Sequence, residues 1–209
     1  MLQDLPTSTT LREQRPWVLE TERLTLRPPT LADARAIARL ADDRRIAVNT
    51  RRLPHPYVTD DAVDFVRQLA DCGRETAFLI EHQHEPIGMT GIVWRKPDMP
   101  ELGYWLGVAH WGRGFGTEAA RAAVDFFFET FDAKLLLAYA RVSNPASRNV
   151  LEKCGFQWAG VELHRFEVLG SSAPVDSFRL SRNVWTSLKS WAGAVRSPGD
   201  GDHGFTPAD

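Results

Sequence analysis

Residues 104–118 read Tyr-Trp-Leu-Gly-Val-Ala-His-Trp-Gly-Arg-Gly-Phe-Gly-Thr-Glu, and no other stretch constrains the fold as tightly. A strand pattern over Leu102–Val108 runs into glycines, and the glycines run into an Ala-rich and then aromatic helical pattern over Thr117–Phe128. Glycine lets the backbone turn sharply and approach a ligand. The start of a helix presents unpaired N–H groups and a partial positive charge. Together these features make an anion-binding turn at Trp111–Thr117, suited to a pyrophosphate, with Arg113 placed to add a charge-assisted contact. Taken alone, the same glycines also suit a plain turn or a close helix–strand contact. A Walker-type loop needs Gly-Lys-Ser/Thr, whereas Gly116 is followed by Thr117-Glu118. A dinucleotide fingerprint belongs in the first strand–helix–strand unit with an acid about 20 residues on, and this segment sits mid-chain after a hairpin pattern. Both nucleotide readings fail.

Around that segment, strand and helix patterns alternate. Leu24 and Leu26 mark a first strand that Pro28-Pro29 halts. A helix is predicted over Leu31–Asp42, capped by Thr30 with Asp33 three residues on, and a second over Asp60–Asp71 with Thr59 as its cap. Thr76–Glu81 and Ile87–Trp94 form a hairpin around the polar stretch from His82 to Pro86. After the glycine segment come a buried strand, Lys134–Val142, and a short helix, Ala146–Lys153. That helix has Asn144 at its cap, Pro145 at its first position and Gly155 just past its end. Two late strands, Phe156–Val168 and Asp176–Ser181, close the order βααβββαβαββ. The expectation is one α/β (α+β) domain over residues 17–191, a mixed sheet flanked by helices, between a polar arm (1–16) and a turn-rich tail (192–209).

Composition excludes several functions. A net charge of −2 argues against nucleic-acid binding through sequence-independent charge, although Arg44–Arg45 and Arg51–Arg52 form a local basic cluster. Cys72 and Cys154 stand far apart without metal-ligand spacing, so free thiols in a reducing cytoplasm are expected, with neither disulfide nor metal. There is no apolar run of about 20 residues to span a membrane, and Asp4 and Pro6 stand where a signal peptide would be apolar.

Three separated motifs, in order, carry a family resemblance. They are Gly103-Tyr104-Trp105-Leu106, the run Trp111–Ala119, and the run Asn144–Phe156. With the opening Thr21-Glu22-Arg23-Leu24-Thr25-Leu26-Arg27 and Pro54-His55-Pro56-Tyr57, they resemble the RimJ/RimL-type branch of the GNAT acyltransferases across about Trp17 to Trp191. Trp111 stands where the wider superfamily has Gln or Arg.

The resemblance implies a GNAT-type, mostly antiparallel sheet and acetyl-CoA as co-substrate. It implies a pyrophosphate held by backbone N–H groups across Trp111, Gly112, Arg113, Gly114, Phe115, Gly116 and Thr117. A fourth-strand bulge, placed at Gly107-Val108, would meet the thioester through Val108 N–H, with Leu106 lining the cofactor's path. Asn144, otherwise a helix cap, would hold the pantetheine arm. Ser147, otherwise a solvated first-turn serine, would hydrogen-bond the leaving sulfur, since Leu151 stands where many relatives have a tyrosine.

Glu101 is the candidate general base, against the alternative of a strand-end carboxylate in an ion pair. His55, Tyr57, Trp94 and Trp105 are candidates for the acceptor groove, and His110 reads as a turn residue. The expected acceptor is a primary amine, foremost a protein N-terminus, ahead of an amino acid, polyamine or aminoglycoside. An α-amine, with a reference pKa of roughly 7.7–8.0, loses its proton to water without a strong base. A non-catalytic CoA-binding module is the competing class, and the apolar late strands suit a homodimer edge.

Overall fold

The computed structural model describes residues 17–96 and 99–195; the expected arm (1–16) and most of the expected tail lie outside them. One eight-stranded sheet runs through the molecule in the order β1-β2-β3-β4-β5-β6-β8-β7. Its strands are β1 (Leu19–Glu20), β2 (Leu24–Arg27), β3 (Glu75–His82), β4 (Glu85–Trp94), β5 (Pro100–Leu106), β6 (Leu135–Arg141), β7 (Gln157–Phe166) and β8 (Ser171–Ser181). Every neighbouring pair is antiparallel except β5 and β6. The expected mixed, mostly antiparallel α+β architecture is the one observed.

Helices α1 (Ala34–Ala41), α2 (Arg44–Ala47) and α3 (Thr59–Cys72) precede β3; α4 (Phe115–Thr130) follows β5, α5 (Pro145–Lys153) follows β6, and α6 (Arg182–Val195) follows β8. Helices α1 and α3 pack on one face of the sheet around Ile37, Ala41, Tyr57, Leu79 and Met89. Helices α4 and α5 pack on the other. There Phe126 joins Phe78 and Ile80, while Phe127 and Phe128 join Leu136, Leu151 and Phe178. The aromatic run at the end of α4 is therefore core on two sides, each buried ring contributing about 1.5–3 kcal/mol.

Several boundaries differ from the sequence expectation. The predicted helix over Leu31–Asp42 splits into a 3-10 turn, Leu31–Asp33, and α1. The Asp33 carboxylate accepts from both the N–H and the hydroxyl of Thr30, and from Arg27, which also reaches Glu81. The Arg27 guanidinium pulls the Asp33 carboxyl down to about 2. That clamp tightens the first turn. Thr59 is the first residue of α3 and not its cap; Asp61 accepts from Val58 N–H instead. The hairpin turns on Gln83-His84, both at positive φ, and Pro86 lies within β4 beside a register shift, where its missing N–H is tolerated.

Strand β8 begins at Ser171, five residues earlier than predicted, because the Ser-Ala-Pro stretch pairs with β7. Helix α6 was not expected. Arg182 donates to the carbonyls of Phe128, Phe131 and Ala133 at the end of α4, and Trp185 stacks on Phe128. The helix passes the predicted domain end at Trp191 and runs on to Val195.

Candidate active site

The sheet opens between its two parallel strands. Strands β5 and β6 are paired only at Glu101↔Leu137 and Leu102↔Ala138, and part beyond them. Gly107 N–H donates to the Ile87 carbonyl at 2.9 Å. In an alternating antiparallel ladder, the backbone groups of Tyr104 and Leu106 therefore turn away from β4 and into the gap. A cavity of about 910 Å³ fills the opening and continues to the glycine segment on one side and to α1–α3 on the other.

The expected bulge at Gly107-Val108 is absent. Pairing with β4 runs in step from Trp94↔Pro100 to Gly88↔Leu106, and Val108 opens a 3-10 turn, Val108–His110. The unpaired amides come from the divergence of the strands. Leu106 lines the cavity, and its carbonyl accepts from Trp111 Nε1 at 2.8 Å.

The turn into α4 is built on backbone. Gly112 and Gly114 sit at φ +72° and +82°, and Gly114 caps the helix, which begins at Phe115, two residues before the predicted Thr117. The N–H groups of Phe115 and Gly116 have no carbonyl a turn behind them, whereas Thr117 N–H, expected to be open to phosphate, donates to the Gly114 carbonyl at 3.1 Å. The loop is held from outside by the first motif in the chain. Arg23 donates to the Arg113 carbonyl (3.0 Å) and to Glu118, and Glu118 also accepts from Thr21. The Arg23 and Arg113 guanidinium groups each lie 4.7 Å from the buried Phe115 ring. Gly112, Gly114, Gly116, Thr117 and Trp111 all line the cavity.

Across the gap, Asn144 caps α5 by accepting from Ser147 N–H at 3.2 Å. Ser147 Oγ lies 2.8 Å from the Tyr104 hydroxyl, which also donates to the Ser147 carbonyl at 3.1 Å. Burial pushes the Tyr104 phenol far above its usual range, so it stays protonated. Leu151 is fully packed in the core. Tyr104, unnoticed in the sequence, thus brings a phenol to Ser147. Cys154 is buried in the same layer and its thiol is pushed up to about 12, so it is packing and not a nucleophile.

The opposite face carries the second set of residues. Odd-numbered positions of β5 (Glu101, Trp105) and of β6 (Tyr139, Arg141) line the cavity toward α1 and α3, while Tyr104 and Leu106 face α4 and α5. Glu101 is buried and accepts from both Arg51 and Arg95. Arg51 also donates to His164 Nδ1, whose other nitrogen meets Glu162. Tyr57 is buried and lines the cavity, as does Trp105.

Two expected groove residues stand apart. His55 pairs with Asp42 at 3.2 Å outside the cavity wall. Trp94 sits on the other face, packed on Phe127 and Phe131, because it pairs with Pro100 and not with Glu101. His110 lines the cavity with Nδ1 buried and unpartnered, and burial lowers its pKa. Among the described residues no His/Cys/Asp/Glu group is placed to hold a metal, and no helix is long and apolar enough to cross a membrane.

A sheet that parts beside a glycine-rich helix start defines an acetyltransferase of the GNAT type. The GNAT acetyltransferase domain matches residues 23–157, and the chain belongs to that family. The uncharacterized N-acetyltransferase p20 of Bacillus licheniformis is 29% identical over 149 residues, spanning 68% of this chain and 84% of the relative. RimJ of Mycobacterium smegmatis, solved with CoA-disulfide, superposes with a TM-score of 0.71 at 22% identity over 85% of this chain and 94% of its own. The spermidine N-acetyltransferase of Vibrio cholerae, solved with CoA and spermine, gives 0.69 at 22% identity over 79% and 99%. At those identities the structural likeness speaks for the fold.

Proposed function

We propose that this chain transfers acetyl from acetyl-CoA to a primary amine in the cytoplasm, foremost the α-amine of a protein or peptide N-terminus, by direct attack on the thioester. The observation that carries the reading is the single cavity joining Gly112, Gly114 and Gly116 to Ser147 through the opening in the sheet. The pyrophosphate takes the N–H groups from Gly112 to Gly116, since Thr117 N–H is engaged by the Gly114 carbonyl. The pantetheine arm lies between β5 and β6, where unpaired backbone amides and Asn144 meet its own amides. The thioester carbonyl is polarised by N–H groups at Leu106 and Val108, an effect worth roughly 3–4 kcal/mol of barrier per donor.

As the C–N bond forms and the C–S bond breaks, the amine proton leaves to water. The departing thiolate takes a proton from Ser147 Oγ, which Tyr104 holds in position and which recovers a proton from the water that received the amine's. Glu101 is engaged at both oxygens by Arg51 and Arg95, so its part is to organise the groove wall and not to accept a proton.

The exposed edge of β7, with Trp158, Val161 and Leu163, is the surface we assign to pairing of two copies.

Thiol release measured over an amine panel tests the acceptor. Peptide N-termini should give the highest kcat/KM, and turnover confined to spermidine, or tight acetyl-CoA binding with no release for any amine, contradicts the reading. Arg23→Met removes the support of the phosphate loop without touching the cavity, so KM for acetyl-CoA should rise about tenfold with kcat little changed, the loss of one charge-assisted network.

A further inference from the structure

Arg141 is a cation in the acceptor half of the cavity that meets no carboxylate among the described residues. It lies near the end of β6 on the face shared with Tyr139, and lines the same cavity as Asn144 and Ser147. Its Nη1 donates to the Val48 carbonyl at 2.8 Å and its guanidinium lies 5.4 Å from the Phe166 ring. Its Nε is buried without a partner, and among the described residues no carboxylate pairs with it. The other arginines of this wall are matched: Arg45 with Asp43, Arg52 with Glu75, and both Arg51 and Arg95 with the single carboxylate of Glu101. Asp61, Asp64 and Glu167 also line the cavity, and Arg141 is the arginine of this wall that no carboxylate among the described residues meets. A charge withdrawn from water is costly unless it is paired, and in a ligand cavity the pairing group arrives with the ligand.

The place of that group relative to the chemistry is fixed by the backbone. Asn144 N–H donates to the Arg141 carbonyl at 2.8 Å, a turn that keeps the two residues close, and Asn144 in turn positions Ser147. Arg141 and Ser147 line one cavity, so a peptide whose amine lies beside Ser147 can direct a side chain of its first residues, at roughly 3.3–3.6 Å of chain each, toward the guanidinium. Resting on the peptide reading above, we propose that the acceptor is an N-terminus with an acidic side chain at its first or second residue, received by Arg141. The bidentate geometry of guanidinium and carboxylate suits that contact.

The test needs no variant at first. With acetyl-CoA saturating, kcat/KM is compared for peptides identical except for Asp against Asn, or Glu against Gln, at positions one and two. The wild-type protein should prefer the acid by about tenfold or more at low salt, with the preference shrinking as salt rises. Arg141→Met, which keeps the packing on Phe166, should bring the ratio near one while acetyl-CoA affinity by titration is retained. Equal rates for acid and amide peptides overturn this inference and leave the peptide reading standing. Turnover of free acidic amino acids or other small amines with no peptide acetylated overturns both.

Discussion

Gly114→Val is expected to abolish acetyl-CoA binding in a protein that still folds. Gly114 lies at φ +82°, a backbone region that costs a side chain about 1–2 kcal/mol, and a β-branched one more. A Cβ there meets Arg23 Nη2 at 3.2 Å. The guanidinium can yield a few tenths of an ångström, but the strained turn then shifts the N–H groups of Phe115 and Gly116 away from the position phosphate must take. The strain is a fraction of the roughly 5–15 kcal/mol by which domains are stable, so a cooperative melt should persist. The Kd for acetyl-CoA, by calorimetry, should rise at least about a hundredfold, equivalent to roughly 3 kcal/mol. Normal affinity in a folded Gly114→Val protein would place the pyrophosphate elsewhere.

The second large effect is on turnover. Ser147→Ala should lower kcat by about a hundredfold, the scale of one proton-transfer partner, while acetyl-CoA affinity changes by less than about twofold. The substitution keeps the backbone N–H that Asn144 accepts, so the cap of α5 survives. It also leaves the Tyr104 hydroxyl its second contact, the Ser147 carbonyl at 3.1 Å, so no buried donor is orphaned. A rate matching that of the wild type would reduce Ser147 to a partner of Tyr104. Because burial holds the phenol protonated, Tyr104 itself should add no inflection to the pH–rate profile.

The glycine turn and the cap of α5, which we assign to the donor, were legible in the sequence because they are local. Phosphate recognition uses backbone at glycines and a helix start, and Asn144-Pro145 with Gly155, at φ +89°, marks its helix by short-range rules alone. What failed was set by distant partners. The clamp on Asp33 by Arg27, itself held by Glu81, reshapes the first turn before α1, and the carbonyls of α4 draw Arg182 into a helix that no local signal announced. The bulge was inferred where unpaired amides were needed, and divergence from β6 provides them instead.

The acceptor half is assembled from side chains on β5, β6 and the segment around Arg51, which meet only in three dimensions. Tyr104 stood in the Gly103–Leu106 motif without a role of its own, although strand alternation already separates it from Gly103 and Trp105. The same alternation, applied from Glu101 across to Val93, removes Trp94 from the groove.

The divergence of β5 from β6 has a bearing on how such a protein changes its substrate. On the function proposed above, each strand is read by two clients at once, the thioester through one set of alternate residues and the amine through the other. Substitutions at Trp105, Tyr139 and Arg141 can therefore be drawn from a large alphabet without touching the residues that grip the donor. A directed-evolution library restricted to those odd positions explores new amines at constant donor chemistry, whereas one spread evenly along both strands spends half its diversity breaking the step that every acceptor shares.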